Sequence, residues 1–285
     1  MSSTGRFLAH RGAVVGALLV AGVVLVALVG PFVTRDPLAR DIDHGLTAFG
    51  APIGPSSNAL LGTDALGRDV LARVVAGAGT SLVIALLATA IALGVGVSVG
   101  LLAGFAGGRI DNLLMRVVDL AMVFPVIVLA ILLAALLRAA DLANANAPVV
   151  LTLGAVSWTT MARVIRGKTA SIMRSEHVVA ARALGAAPRE IVRRHVLPNV
   201  IGVVLVVAAI GFAQNLLAES VLSYVGLGPA PPAPTWGRMV FEGRGYYRSA
   251  PHLVVVPGLA LVLAVVAFNV LAEGLRVVLD PKARV

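Results

Sequence analysis

The sequence predicts an all-α, polytopic membrane protein with six transmembrane helices. Three observations carry that expectation. Of the 285 residues, 59% are hydrophobic and only 13% are charged, against about 45–50% and about 25% in soluble domains. The mean hydropathy is +0.96, which excludes an ordinary soluble enzyme and also a disordered chain, since disorder requires low hydrophobicity. Finally, six uncharged runs are long enough to cross the bilayer, where about 30 Å of hydrocarbon needs roughly 20 helical residues.

The first run covers residues 12–33. Arg6 and Arg11 before it resemble the start of a signal peptide, but it closes on Gly30-Pro31-Phe32-Val33 with no small-residue cleavage site, so a retained helix is expected. The second, 74–108, is too long for one straight span and includes a helical lead-in. The third is 120–137. The fourth, 142–162, is diluted by Asn144, Asn146, Thr152 and Trp158. The fifth and sixth are 196–218 and 253–272. No internal repeat is visible.

Basic residues orient the chain. With the N-terminus inside, the inner segments hold 15 Lys and Arg and the outer ones 8. The first outer loop also carries Asp36, Asp41, Asp43, Asp64 and Asp69. The expected layout has a cytoplasmic tail at 1–11, a first helix at 12–33 and an extracytoplasmic loop at 34–73. A five-helix core follows at 74–273, with a cytoplasmic loop at 174–198, an extracytoplasmic loop at 225–251 and a cytoplasmic tail at 274–285. The net charge of +9 then belongs to loops facing the inner membrane surface. Nucleic acid is not expected as a partner, because aromatics make up only 5% of the chain and offer few stacking platforms. The absence of Cys excludes disulfides, thiolate chemistry and Cys-ligated zinc.

Residues 174–199, RSEHVVAARALGAAPREIVRRHVLPN, read as helix, turn, helix. Val178, Ala181 and Leu184 are spaced for one apolar face. Gly185 suits the left-handed position after a helix, and Pro188 suits the first position of the next. Ile191, Val192 and Val196 continue an apolar stripe. Arg189, Arg193 and Arg194 sit off it, with Glu190 placed to pair with Arg194 at i+4. Pro198 opens the fifth span. Two readings stand: a basic loop resting on lipid headgroups, or a short small-residue helix fitted to a groove on a cytoplasmic partner.

Ala180-Ala181, then Gly185, then His195-Val196-Leu197-Pro198 resembles the EAA loop of ATP-binding-cassette (ABC) importer permeases. Further stretches match the dipeptide/oligopeptide branch, C-type subunit: Leu61-Gly62-Thr63-Asp64-Ala65-Leu66-Gly67-Arg68-Asp69, Gly107-Gly108 with Asp111 through Asp119, and Phe124-Pro125. So do Leu217-Ala218-Glu219, Gly226-Leu227-Gly228, Pro231-Pro232 with Trp236-Gly237, Phe268-Asn269 and Leu279-Asp280-Pro281. The matches span about residues 60–282. Val179 stands where the loop's name-giving acid would be, Gly79 where a base is common, and Val277 where an acid is common.

The resemblance implies a type I ABC-importer permease that moves peptides by alternating access. Val179, Ala180, Ala181, Arg182, Leu184, Gly185, Ala186, Pro188, His195, Leu197 and Pro198 would couple it to ATPases. The chain has no phosphate-binding G-x-x-x-x-G-K-[ST] loop, so no cofactor is expected on it, and ATP and Mg belong to partner subunits. The implied partners are two ATPases or one fused ATPase, a B-type permease subunit, an extracytoplasmic solute-binding protein and membrane lipid. Haem, nickel chelates or glutathione are alternative solutes, and a stand-alone secondary carrier is the rival class.

No catalytic constellation is expected, and His10, His44, His177, His195 and His252 are too scattered for a metal. Ionisable groups within spans are functional candidates, since a central charge costs about 2.5–3.5 kcal/mol on insertion scales. Asp119 either pairs with Arg116 at i−3 or serves transport. Glu219, with Gln214 and Asn215 about a turn earlier, either pairs with a neighbouring helix or lines the path. Glu273 is placed to pair with Arg276. In the 225–251 loop, prolines forbid a long regular helix. Pro231, Pro232 and Trp236 either form an extracytoplasmic gate or belong to a connector whose Trp, with Tyr246 and Tyr247, sits at headgroup level. The 34–73 loop is expected to be only partly ordered.

Overall fold

The computed structural model describes residues 3–139 and 146–279. Leu142 and Asn144 of the fourth run, and Asp280 and Pro281, lie outside them. Among the described residues the chain is helical, with isolated bridges at Leu46–Pro52 and Thr63–Asp69. A short α1 (Ser3–Ala9) precedes α2 (Arg11–Val33), and α3 (Ile42–Gly45) lies in the first long loop. The core follows as α4 (Val70–Ala106), α5 (Gly108–Val123), α6 (Val126–Ala139) and α7 (Ala147–Met173). Helices α8 (Glu176–Ala183) and α9 (Pro188–Ile191) form the basic loop, before α10 (Leu197–Tyr224), α11 (Trp236–Gly243) and α12 (His252–Leu279).

Among the described residues, five helices are long and apolar enough to span a membrane, and the bent α5–α6 pair makes a sixth crossing when taken as one span. That pair corrects the expected third span, which is not one helix: α5 and α6 meet at 86°. Pro125 supplies no backbone N–H and pushes its predecessor out of the helical region, and Phe124 is extended, with ψ 137°. The fourth helix runs to Met173, well past the expected end at 162. The fifth, α10, begins at Leu197, close to the expected 196, but it continues a helix already under way. Helix α9 passes through a π turn at Val192–Val196 into α10 without a break.

Gly96, Gly100 and Gly104 line the face of α4 that meets α7. A Cβ on Gly100 would stand 2.6 Å from the carbonyl oxygen of Ala162, and one on Gly96 would stand 2.8 Å from that of Trp158. Small residues at this spacing let two apolar helices pack backbone to backbone, which suits a solvent of lipid tails. Two of the apolar clusters of the core lie within the helix bundle. One joins Ile84, Ala88, Ala130, Val149, Leu153 and Leu222, and the other joins Leu82, Ala85, Phe212, Leu216, Trp236 and Ala264.

Candidate functional site

The basic loop forms a closed hairpin. Glu176–Ala183 ends with Gly185 at φ +84°. The Ala186 N–H donates to the Ala181 carbonyl and the Gly185 N–H to that of Arg182, both at 3.0 Å, so the last turn of α8 closes as a Schellman motif. Pro188 then starts α9 as expected. Val178, Ile191 and Val196 are buried with Ile165, Ile172, Met173 and Val200, which anchors the hairpin on α7 and α10. Glu190 and Arg194 pair at 2.6 Å.

Leu184 departs from the expected stripe. It caps α8 rather than continuing it, and it is 89% exposed. With Val179, Ala180 and Arg182 also exposed, the tip of the hairpin is an apolar knob rimmed by arginines. Ala181 and Ala186 are half-buried beneath it, while Leu197 and Pro198 are exposed on the first turn of α10. The rings of His195 and His177 lie 5.6 Å apart between the two arms.

The intramembrane candidates separate into two kinds. Asn215 and Glu219 are 1% and 0% exposed. Asn215 accepts from Ser157 Oγ at 2.6 Å and donates to Thr89 Oγ1 at 3.0 Å, tying α10 to α7 and α4. Glu219 accepts from the hydroxyl of Ser223 at 2.7 Å and, at 3.5 Å, from that of Ser220. Both are internal hydrogen-bonding nodes. Gln214 is exposed, so of these three it alone shows an open face. Asp119 does not pair with Arg116. Its partner is Arg163 on α7 at 2.6 Å, next to the two-bond contact of Arg166 with Asp111. Arg276 stands 3.7 Å from Glu273 as expected.

At the opposite end, the first long loop is bonded to the second. Asp64 accepts from the Arg68 side chain at 2.7 Å and from the buried Arg73. Glu242 of α11 accepts from Arg73 at 2.9 Å, Arg68 at 3.2 Å and Arg238 at 2.9 Å. Pro231 and Pro232 line a cavity of about 450 Å³ beside this network. Trp236 is not a headgroup anchor. It is 3% exposed, and its indole N–H donates to the Val74 carbonyl at 2.9 Å. Nearby, Arg138 donates to the Gly226 carbonyl at 2.8 Å and to that of Gly228, fixing the end of α6 to the turn after α10.

Burial alone would push the Asp64 carboxyl up. The charge of Arg73, the Arg68 and Leu66 N–H groups and the charge of Arg68 together hold it below the usual value. A depressed native pKa stabilises the fold above the unfolded-chain value of about 3.9, and that stabilisation is lost as pH falls through the native value. Asp64→Ala is expected to destabilise the chain by roughly 3–5 kcal/mol, because it leaves a buried guanidinium short of its partner. Thermal unfolding in detergent at pH 7 checks this, and an unchanged midpoint would refute it.

In the sequence, Asp64 and Arg68 stand out as parts of a motif and Asp64 as one of the loop's acids, while nothing there assigns a role to Arg73, Glu242, Arg238 or Arg138. The i+4 spacing of Asp64 and Arg68 and the position of Arg73 just before a long uncharged run were the available signals. Nothing local in the sequence marked Glu242 as their partner.

Residues 96–285 match the family model described as a binding-protein-dependent transport system inner membrane component. Residues 4–49 match the N-terminal transmembrane domain of oligopeptide transport permease C. The chain is 35% identical to the dipeptide transport system permease protein DppC of Alkalihalophilus pseudofirmus, over 96% of this chain and 87% of that one. It is 36% identical to the di/tripeptide transport system permease protein DppC of Pseudomonas aeruginosa, over 98% and 90%. Identity to the glutathione transport system permease protein GsiD of Pectobacterium atrosepticum is 34%, over 98% and 90%. Among solved structures, an inward-facing MetNI methionine ABC transporter aligns with a TM-score of 0.60 at 18% identity, over 72% of this chain and 96% of that one. That alignment bears on the fold alone.

Proposed function

We propose that this chain, which belongs to the family of binding-protein-dependent transport system inner membrane components, conducts peptides into the cell as one permease subunit of an ABC importer. The solutes printed for two of these relatives, dipeptides and di/tripeptides, support this reading. Both termini and the 174–198 hairpin face the cytoplasm, where 15 of the 23 Lys and Arg fall, in keeping with the positive-inside rule.

The observation that carries the mechanism is the hairpin's attachment. Its second arm is continuous with α10 through the π turn, whereas its first arm leaves α7 through a non-helical break at Arg174–Ser175. Partner ATPases bind ATP and Mg and close on each other, and the apolar tip at Val179, Ala180 and Leu184 seats in a groove on one of them. Displacement of the tip then tilts α10, and the pathway reorients. The driving energy is the difference in affinity of ligands for the two states. A second, B-type permease chain completes the pathway, and an extracytoplasmic binding protein delivers the peptide to the face built from Pro231, Pro232 and the 34–69 loop.

Purification through a tag on this chain, expressed at native level from its own genomic context, tests the reading. Stoichiometric ATPase and second permease chains, with ATP hydrolysis stimulated by a peptide-loaded binding protein, are expected. A lone chain that transports in liposomes without ATP would overturn it in favour of a secondary carrier.

A further inference from the structure

A cavity of about 400 Å³ lies between α7, α10 and α12, at the end of the bundle that carries the basic hairpin. Lys168, Asn199 and Arg276 form its polar rim, and Val203, Val206 and Ile210 line its depth. The latter three are half-buried, so the groove is open along its side. From Asn199 to Ile210 the helix rises about 16 Å, which is about half of the 30 Å hydrocarbon thickness and so matches one leaflet. Lys168 has no carboxylate partner among the described residues, and Arg276 has only the loose 3.7 Å contact with exposed Glu273.

We propose that this groove holds one anionic phospholipid of the cytoplasmic leaflet, with its phosphate between Lys168 and Arg276 and an acyl chain along Val203, Val206 and Ile210. Basic pockets between helices at the cytoplasmic surface suit such headgroups. A soluble peptide fits the groove poorly, since its backbone polar groups would face mainly valine and isoleucine without hydrogen-bond partners. The assignment of leaflet rests on the orientation proposed above.

Native mass spectrometry of the intact importer, exchanged into mixed phosphatidylglycerol and phosphatidylcholine, tests the site. Phosphatidylglycerol is expected to stay bound in preference to phosphatidylcholine. Each basic residue near an anionic headgroup contributes about fivefold in binding, so Lys168→Gln with Arg276→Gln is expected to lower retention about 25-fold. Val206→Trp, which fills the groove and keeps both charges, is also expected to lower it. Equal retention of the two lipids, or no loss in either variant, overturns the site. A photo-crosslinker at Val206 that labels the second permease chain or a transported peptide in place of lipid overturns it too. Orientation is tested separately in this cysteine-free chain. The Arg193→Cys variant should resist a membrane-impermeant thiol reagent applied from outside. Labelling there would overturn the leaflet assignment, while the native spectra still decide whether lipid is held.

Discussion

Gly185→Val is expected to cut peptide uptake at least tenfold while the chain still inserts and accumulates. Gly185 sits at φ +84° with open space around the position its Cβ would take, so the penalty is one of backbone conformation. Left-handed backbone costs an ordinary L-residue roughly 1–2 kcal/mol, and a β-branched residue is an outlier there. Such a penalty shifts the tip of the hairpin away from its closed form, because the Schellman bonds from Gly185 and Ala186 depend on that turn. The buried anchor of Val178, Ile191 and Val196 remains intact, so the fold is retained. A graded series isolates the cause: Asn tolerates this region and should retain most uptake, Ala should lose part, and Val most. Uptake of labelled peptide and ATP hydrolysis by the purified complex read the series. Equal activity across all three would show that the left-handed turn is irrelevant to coupling.

Gly100→Leu is expected to prevent stable accumulation of the chain. A single Cβ there already falls 2.6 Å from the Ala162 carbonyl oxygen and 2.8 Å from the Cβ of Ile165. Neither can swing aside, since one is backbone and the other is a branched carbon on a fully buried residue. Overpacking a core typically costs 1–3 kcal/mol, with more where rearrangement is blocked, and a leucine here would force α4 from α7 along their length. Gly100→Ala is expected to lower the thermal midpoint by several degrees. Gly94, on the same helix, has nothing within 4 Å of its would-be Cβ, and Gly94→Ala should be tolerated. Immunoblotting of membranes and thermal unfolding in detergent measure both. A Gly100→Leu chain with normal abundance and midpoint would show that close approach is dispensable.

Much of the basic hairpin was legible because its signals are local. Gly185 as a left-handed cap, Pro188 as a helix start and Glu190–Arg194 at i+4 depend only on residues a few positions apart. The fate of Leu184 was less so, because a one-residue difference in where α8 ends turns a side chain from buried to exposed. The third span shows a different limit. Hydropathy over 120–137 averages across Phe124-Pro125, yet the 86° bend is made by that dipeptide alone, a local signal outweighed by an averaged one.

The sequence by itself determined the number of apolar runs, their lengths, the sign of the connecting segments and the turn chemistry of the hairpin. Each of these follows from covalent neighbours and from the thickness of a bilayer. Only the tertiary structure decided that Arg73 meets Glu242 across 169 positions, that Asp119 pairs with Arg163 rather than Arg116, and that Trp236 is buried. It also decided that Asn215 and Glu219 are internal nodes while Gln214 stays open. A charged or polar side chain takes whichever partner packing brings within hydrogen-bond range, and a low-dielectric interior strengthens the bond. Which helices pack together is a property of the whole chain, and no short stretch of residues encodes it.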